Sequence, residues 1–242
     1  KYHPLGRFWR FDGQLLAKIF AIGLPISGAF LLEFGLFATA ALLMGRIGTT
    51  ALAAHQIALQ TAAIMFMVPF GISMAATVRV GQAIGRNDAA AARRAGFSAL
   101  ALAAIFMAAM TLLVGITRHH IPLLFLGGGA ASATETVALA SRLLVVGASF
   151  FVADGLQTVA GGALRGLNDT RVPLLLAVLS YWAIGFVAAL LLGFTFGFGA
   201  IGIWIALTIG LVAFAVLLIS RFHVLTRGDG LASTAHGAHL PP

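Results

Sequence analysis

An acid interrupts an apolar, helix-length run at Asp154, inside the stretch FFVADGLQTVAGGALRGLNDTR from Phe150 to Arg171. Gln157, Thr158 and Gly161 follow it at i+3, i+4 and i+7, so the polar and small residues fall on one face of a helix. A second acid, Glu33, stands in an earlier apolar run, eleven residues before Met44. At 1.5 Å per residue that is about 16 Å below the end of its run. Asp154 lies eleven residues beyond Leu143, at a similar depth, so two acids on different helices can share one cavity. An Asp at the centre of a membrane helix costs about 2.5–3.5 kcal/mol on insertion scales, so acids placed there are by default functional. Loss of water favours the neutral acid and a bound cation favours the carboxylate. A group poised between the two is what an ion-coupled transporter needs. The simpler alternative is a pair of acids hydrogen-bonded between helices. We expect Asp154 and Glu33 to be coupling acids that take a proton or a monovalent cation, with no cofactor.

A second polar stripe opens the run that follows the first: His55 and Gln56, then Gln60 one turn on. Either an interhelical hydrogen bond or proton relay suits His55, and one His is a poor metal signal. Gln56 and Gln60 fit a cavity wall or the polar glue between membrane helices. Met65, Phe66, Met67 and Phe70 fit a permissive pocket for flat apolar ligands, with helix packing or lipid contact the commoner use. Pro25 and Pro69 remove backbone donors within their runs and can kink them, whereas Pro173 opens one.

The elements that hold these residues are long and oily. Of 242 residues 60% are hydrophobic and 9% charged, against about 25% charged in a soluble domain. Six apolar segments, 19–44, 51–82, 95–117, 137–164, 173–194 and 200–220, each approach or exceed the ~20 residues that cross a bilayer. They lack the alternation of barrel strands, so helices are expected. Turn chemistry separates them, at Gly48, Gly85-Arg86-Asn87-Asp88, Gly127-Gly128-Gly129, Gly166-Leu167-Asn168-Asp169 and Gly197 to Gly199. The second and fourth breaks share Gly-x-Asn-Asp, where a glycine can end one helix and Asp88 or Asp169 cap the next. Shared capping chemistry explains that echo without an internal repeat.

The net charge of +8 invites a nucleic-acid partner until the basic residues are located. Twelve of the fifteen fall at one end of a six-span bundle, in residues 1–18, the second and fourth turns and the tail, and only Arg46, Arg118 and Arg142 at the other. By the positive-inside rule the basic end is cytoplasmic, with both termini there. The charge reports topology, and no nucleic-acid partner is expected. Basic and aromatic residues alternate in 1–18 as in an interfacial anchor, and 222–242 reads as a disordered tail in which Arg227-Gly228-Asp229 is chance. Glu135 is expected in an outer loop. There is no Cys from which to read a redox compartment.

Four stretches in order, Gly23-Leu24-Pro25-Ile26 with Glu33 downstream, ALAAHQIALQ (51–60), VRVGQAIGRND (78–88) and ADGLQTVAGGALRGLNDTRVP (153–173), resemble the multidrug and toxic compound extrusion (MATE) family, bacterial norfloxacin-type branch. The resemblance covers nearly the whole chain. It implies the C-terminal six-helix lobe (19–221) of a pseudo-symmetric twelve-helix transporter, with 1–18 as interlobe linker. It also implies export of cationic amphipathic drugs in exchange for sodium ions or protons, with Glu33 and Asp154 matching the family's C-lobe acids. An N-terminal six-helix lobe is then the missing partner, and a truncated record is favoured over a half-size protein. Several relatives carry Tyr where this chain has Phe150, which removes a hydroxyl that could ligate sodium. The expected location is a bacterial inner membrane, multi-pass. A lipid or lipid-linked-sugar flippase would need basic residues at depth, where this chain has acids. An intramembrane hydrolase would need a nucleophile and base at depth, and none is evident, so no enzyme is expected. A non-transport scaffold would not need the paired acids.

Overall fold

The computed structural model describes residues 13–127 and 132–227, and every regular element among them is a helix. Six are long and apolar enough to cross a membrane: Gly13–Ile47, Thr49–Gly85, Ala89–Thr117, Thr134–Gly166, Arg171–Thr195 and Gly199–Leu225, called here the first to sixth spans. All six expected segments are therefore present, each longer than its apolar core. Hydropathy marks the lipid-facing part of a helix, whereas intrahelical hydrogen bonds carry the backbone on through polar residues. The helix is already formed at Gly13, ahead of the expected start at 19, and the last runs to Leu225. The anchor pattern of residues 1–12 and most of the tail lie outside the described residues.

Two boundaries need correction. Glu135 sits in the first turn of the helix Ser132–Gly166 rather than in a loop. A short helix, His120–Leu126, fills the expected outer connection and ends on Gly127 at φ 63°, a conformation that suits glycine. The fifth span also departs from a plain α-helix, with π-helical turns over Val178–Phe186 and Leu191–Thr195.

The two Gly-x-Asn-Asp turns share one backbone. Asn87 and Asn168 both adopt left-handed φ, 55° and 61°. Each aspartate N–H donates five residues back, Asp88 to the Ala83 carbonyl and Asp169 to the Leu164 carbonyl, both at 3.0 Å. This closes the ends of the second and fourth spans with Schellman turns, which Asn tolerates better than most residues. The aspartate side chains then diverge. Asp88 caps the third span by accepting from the Ala91 N–H at 2.8 Å. Asp169 does not cap; it accepts from Arg221 Nε at 2.9 Å and ties the fourth turn to the end of the sixth span.

The core centres on the second, fourth and sixth spans. Small residues let the second and fourth approach until side chains bond directly to the facing backbone. Ser73 Oγ donates to the Thr158 carbonyl at 2.9 Å and Thr77 Oγ1 to the Gly162 carbonyl at 2.8 Å. A Cβ on Gly162 would lie 2.5 Å from the Ser73 carbonyl oxygen, so only glycine fits this seam. The first span is held differently. Its buried residues are Leu36, Ala40, Leu43 and Met44, all in its second half.

Candidate functional site

Glu33 on the first span and Asp154 on the fourth meet at Gln157. The Gln157 amide nitrogen donates to Glu33 Oε1 at 2.9 Å and to Asp154 Oδ1 at 3.2 Å. The two carboxylate oxygens therefore lie no more than about 6 Å apart. Helical spacing explains half of this, because Gln157 sits one turn after Asp154 on the same face. The other half comes from the first span lying across that face. Asp154 and Gln157 are 6% and 4% exposed, while Glu33 is half-buried and lines open space. At an effective dielectric of 20, two charges this far apart repel by about 3 kcal/mol, so a proton or a monovalent cation between them relieves a real cost.

A cavity of about 490 Å³ opens beside the acids toward the end opposite the basic one. Its walls are Phe30, Phe34 and Phe37 of the first span, Gln56, Gln60, Phe66 and Met67 of the second, and Phe150 with Asp154 of the fourth. It is thus mostly aromatic and apolar, with two acids at its foot and two amides higher up, the lining expected for a flat cation with an apolar body. Phe150 is fully buried, edge-on to Phe37 and packed on Trp204 with ring centroids 5.2 Å apart.

Not every expected residue joins this group. His55 faces the bundle core, packed edge-on to Trp204 at 5.8 Å between centroids, and neither ring nitrogen has a hydrogen-bond partner. It lines none of the cavity, although its neighbour Gln56 does. The Thr158 hydroxyl donates to the Asp154 carbonyl of its own helix at 2.8 Å, and the residue lines a smaller chamber beyond Gln157. Met65 is buried, and Phe70 packs tilted against Phe66, with ring centroids 5.8 Å apart, without lining the cavity.

Two further residues stand at the site beyond the expected set. Tyr181, fully buried in the π-helical part of the fifth span, has its hydroxyl near both carboxylates but in hydrogen-bond geometry with no partner. Arg165, expected to face the cytoplasm as a flanking charge, instead bonds Ser73 Oγ at 2.9 Å and lines the smaller chamber together with Glu33. Its signal was available: Asp154, Gln157, Gly161 and Arg165 are all on one helical face. Among the described residues no group of three or more metal-ligating side chains gathers.

Known proteins resemble this chain in sequence and fold. The MatE family model matches residues 25–191. A probable multidrug resistance protein NorM of Rhodopseudomonas palustris is 62% identical over 97% of this chain and 49% of its own length. One from Bradyrhizobium diazoefficiens is 55% identical over 93% and 48%. The crystal structure of the eukaryotic MATE transporter AtDTX14 superposes with a TM-score of 0.83 at 22% identity, covering 95% of this chain and 51% of that one. The chain spans about half the length of the curated relatives it matches.

Proposed function

The chain belongs to the MatE family, and from that premise we propose that it is the C-terminal lobe of an antiporter exporting cationic amphipathic compounds in exchange for protons or sodium ions. The family is one of membrane transporters rather than enzymes, and the relatives are named for multidrug resistance. One observation carries the finer reading: Gln157 holds Glu33 and Asp154 together at the foot of an aromatic cavity. Drug and ion then compete for one pair of negative charges. A cation in the cavity is attracted while the acids are unneutralised and loses that attraction when protons or sodium ions occupy them. Exchange follows if ion binding comes from one side and drug release to the same side, with two lobes rocking about the shared site.

Gln56 and Gln60 are exposed on the cavity wall, where a six-helix partner lobe would close over them. The concentration of basic residues at one end supports a cytoplasmic location for both termini of this lobe. Phe150 brings no hydroxyl to the acids, which removes one sodium ligand, whereas the Tyr181 hydroxyl stands near them, so the separate sodium and pH gradients decide the ion. The flippase reading has no support at the cavity, whose charged groups are acidic.

The test is efflux of ethidium, a fluorescent cation, from proteoliposomes carrying the full-length transporter, with sodium and pH gradients imposed separately. Asp154→Asn and Glu33→Gln keep the side-chain shapes and should each abolish ion-driven efflux. Full ion-driven transport by Asp154→Asn would sink the coupling role.

A further inference from the structure

Glu33 lines two chambers in a single conformation. Besides the large cavity, a chamber of about 50 Å³ extends from Glu33 toward the basic end, past Gln157, Thr158 and Gly161 to Asp169 and Thr170. The two leave Glu33 in opposite directions, because the first and fourth spans run antiparallel and contribute opposite halves to each. The small chamber has room for a water or an ion but not for a drug, since a single water needs roughly 10–15 Å³ by the same measure. A coupling acid open to both ends would let the ion run down its gradient without moving cargo. Something must bar the second route.

Arg165 sits in that chamber with a charge that does not titrate away. Its Nη2 donates to Ser73 Oγ at 2.9 Å, and its guanidinium lies 5.9 Å from the centroid of the Phe30 ring. Ser73 is fully buried and is itself fixed by its bond to the Thr158 carbonyl, so the second span holds the arginine in place. Phe30, like Glu33, lines both chambers. Among the described residues no carboxylate comes within ion-pair distance of the arginine: Glu33 attracts it across the chamber without contact, and Asp169 at the far end is paired with Arg221. A fixed cation in a narrow passage repels other cations, as arginines do in selective pores.

Resting on the transporter reading above, we propose that the small chamber is the leg by which the coupling ion exchanges with the basic end. Arg165 is the positioning residue whose charge stops cations from crossing while Glu33 faces the large cavity. Arg165 takes no part in holding the drug, which lies on the far side of the acids.

The experiment measures passive sodium and proton leak into proteoliposomes of the full-length transporter with no drug present. Arg165→Gln should raise the leak at least about tenfold, the ratio that about 1.4 kcal/mol of lost barrier represents. Arg165→Lys keeps a positive charge and should stay near the wild-type leak, which a merely structural role would not predict. Chloride leak should not change. Wild-type tightness in a folded Arg165→Gln protein, or equal leak from the Lys and Gln variants, overturns the proposal. If Arg165→Gln does not fold, Ser73→Ala releases the guanidinium without removing it. Leak must then rise, and a tight, folded Ser73→Ala protein overturns the proposal equally. Wild-type protein that fails to drive ethidium efflux with either ion would refute the transporter reading itself, whereas a coupled wild type with a tight Arg165→Gln variant refutes only the barrier.

Discussion

Gln157→Leu separates an amide that braces the acids from an amide that binds the ion. The substitution keeps the side-chain size and removes both hydrogen bonds, at 2.9 Å to Glu33 and 3.2 Å to Asp154. A hydrogen bond to a charged group contributes about 1.5–3 kcal/mol. In the ion-free site the amide N–H stabilises carboxylate charge, and once a proton or sodium ion neutralises that charge the bond is weaker. Losing the amide therefore destabilises the ion-free state more than the occupied one, and the ion should bind more tightly. One charge-assisted bond corresponds to about a 10- to 150-fold lower half-saturating ion concentration. The maximum rate should fall as well, because the ion leaves more slowly. The assay is ethidium efflux against a titrated sodium or pH gradient, with thermal unfolding as a check on folding. An unchanged or raised half-saturation in a folded protein refutes the bracing argument, and a rise would mean that the Gln157 carbonyl ligates the ion.

Gly162→Ala would force a Cβ against the Ser73 backbone and should destabilise the protein by about 1–3 kcal/mol, the usual cost of overpacking, read as a lower midpoint of thermal unfolding in detergent. A wild-type midpoint would mean that the seam between the second and fourth spans is looser than it looks. Phe150→Tyr returns a hydroxyl to the cavity one turn before Asp154 and should increase the share of efflux driven by a sodium gradient relative to a pH gradient. An unchanged ratio in active protein would remove Phe150 as a determinant of the ion.

Much of this site was written in the chain. Asp154 and Glu33 stand out because charge is rare in apolar runs, and rise per residue alone places them at one depth. Gln157 was on the right face by spacing, and the structure adds that it touches both acids. Tyr181 was not legible: it lies in an unbroken apolar run and reaches the acids only through how the π-helical fifth span packs. Arg165 lies near a helix end, where basic residues usually meet headgroups, although its helical face points back to the acids. His55 shows the reverse. Its neighbours Gln56 and Gln60 face the cavity, but residue 55 is turned about 100° away from 56 on the helix and enters the core beside Trp204. Asp169 and Asp88 share a sequence motif and a backbone turn, yet Arg221 arriving from the sixth span captures one and leaves the other to cap.

The seam between the second and fourth spans makes a rigid strut. Asp154, Gln157 and the cavity face of the second span are fixed to it through the Ser73 and Thr77 bonds. Glu33 is mounted on a different part. It lies just short of Leu36, where burial of the first span begins, and the segment before it carries Pro25 and no buried residue. One acid is thus anchored and the other rides on the less secured arm of a lever, joined to the strut's polar face by the 2.9 Å bond from Gln157. The distance between the charges is then a mechanical variable: a ligand that wedges between the acids and an ion that draws them together do opposite work on the same helix.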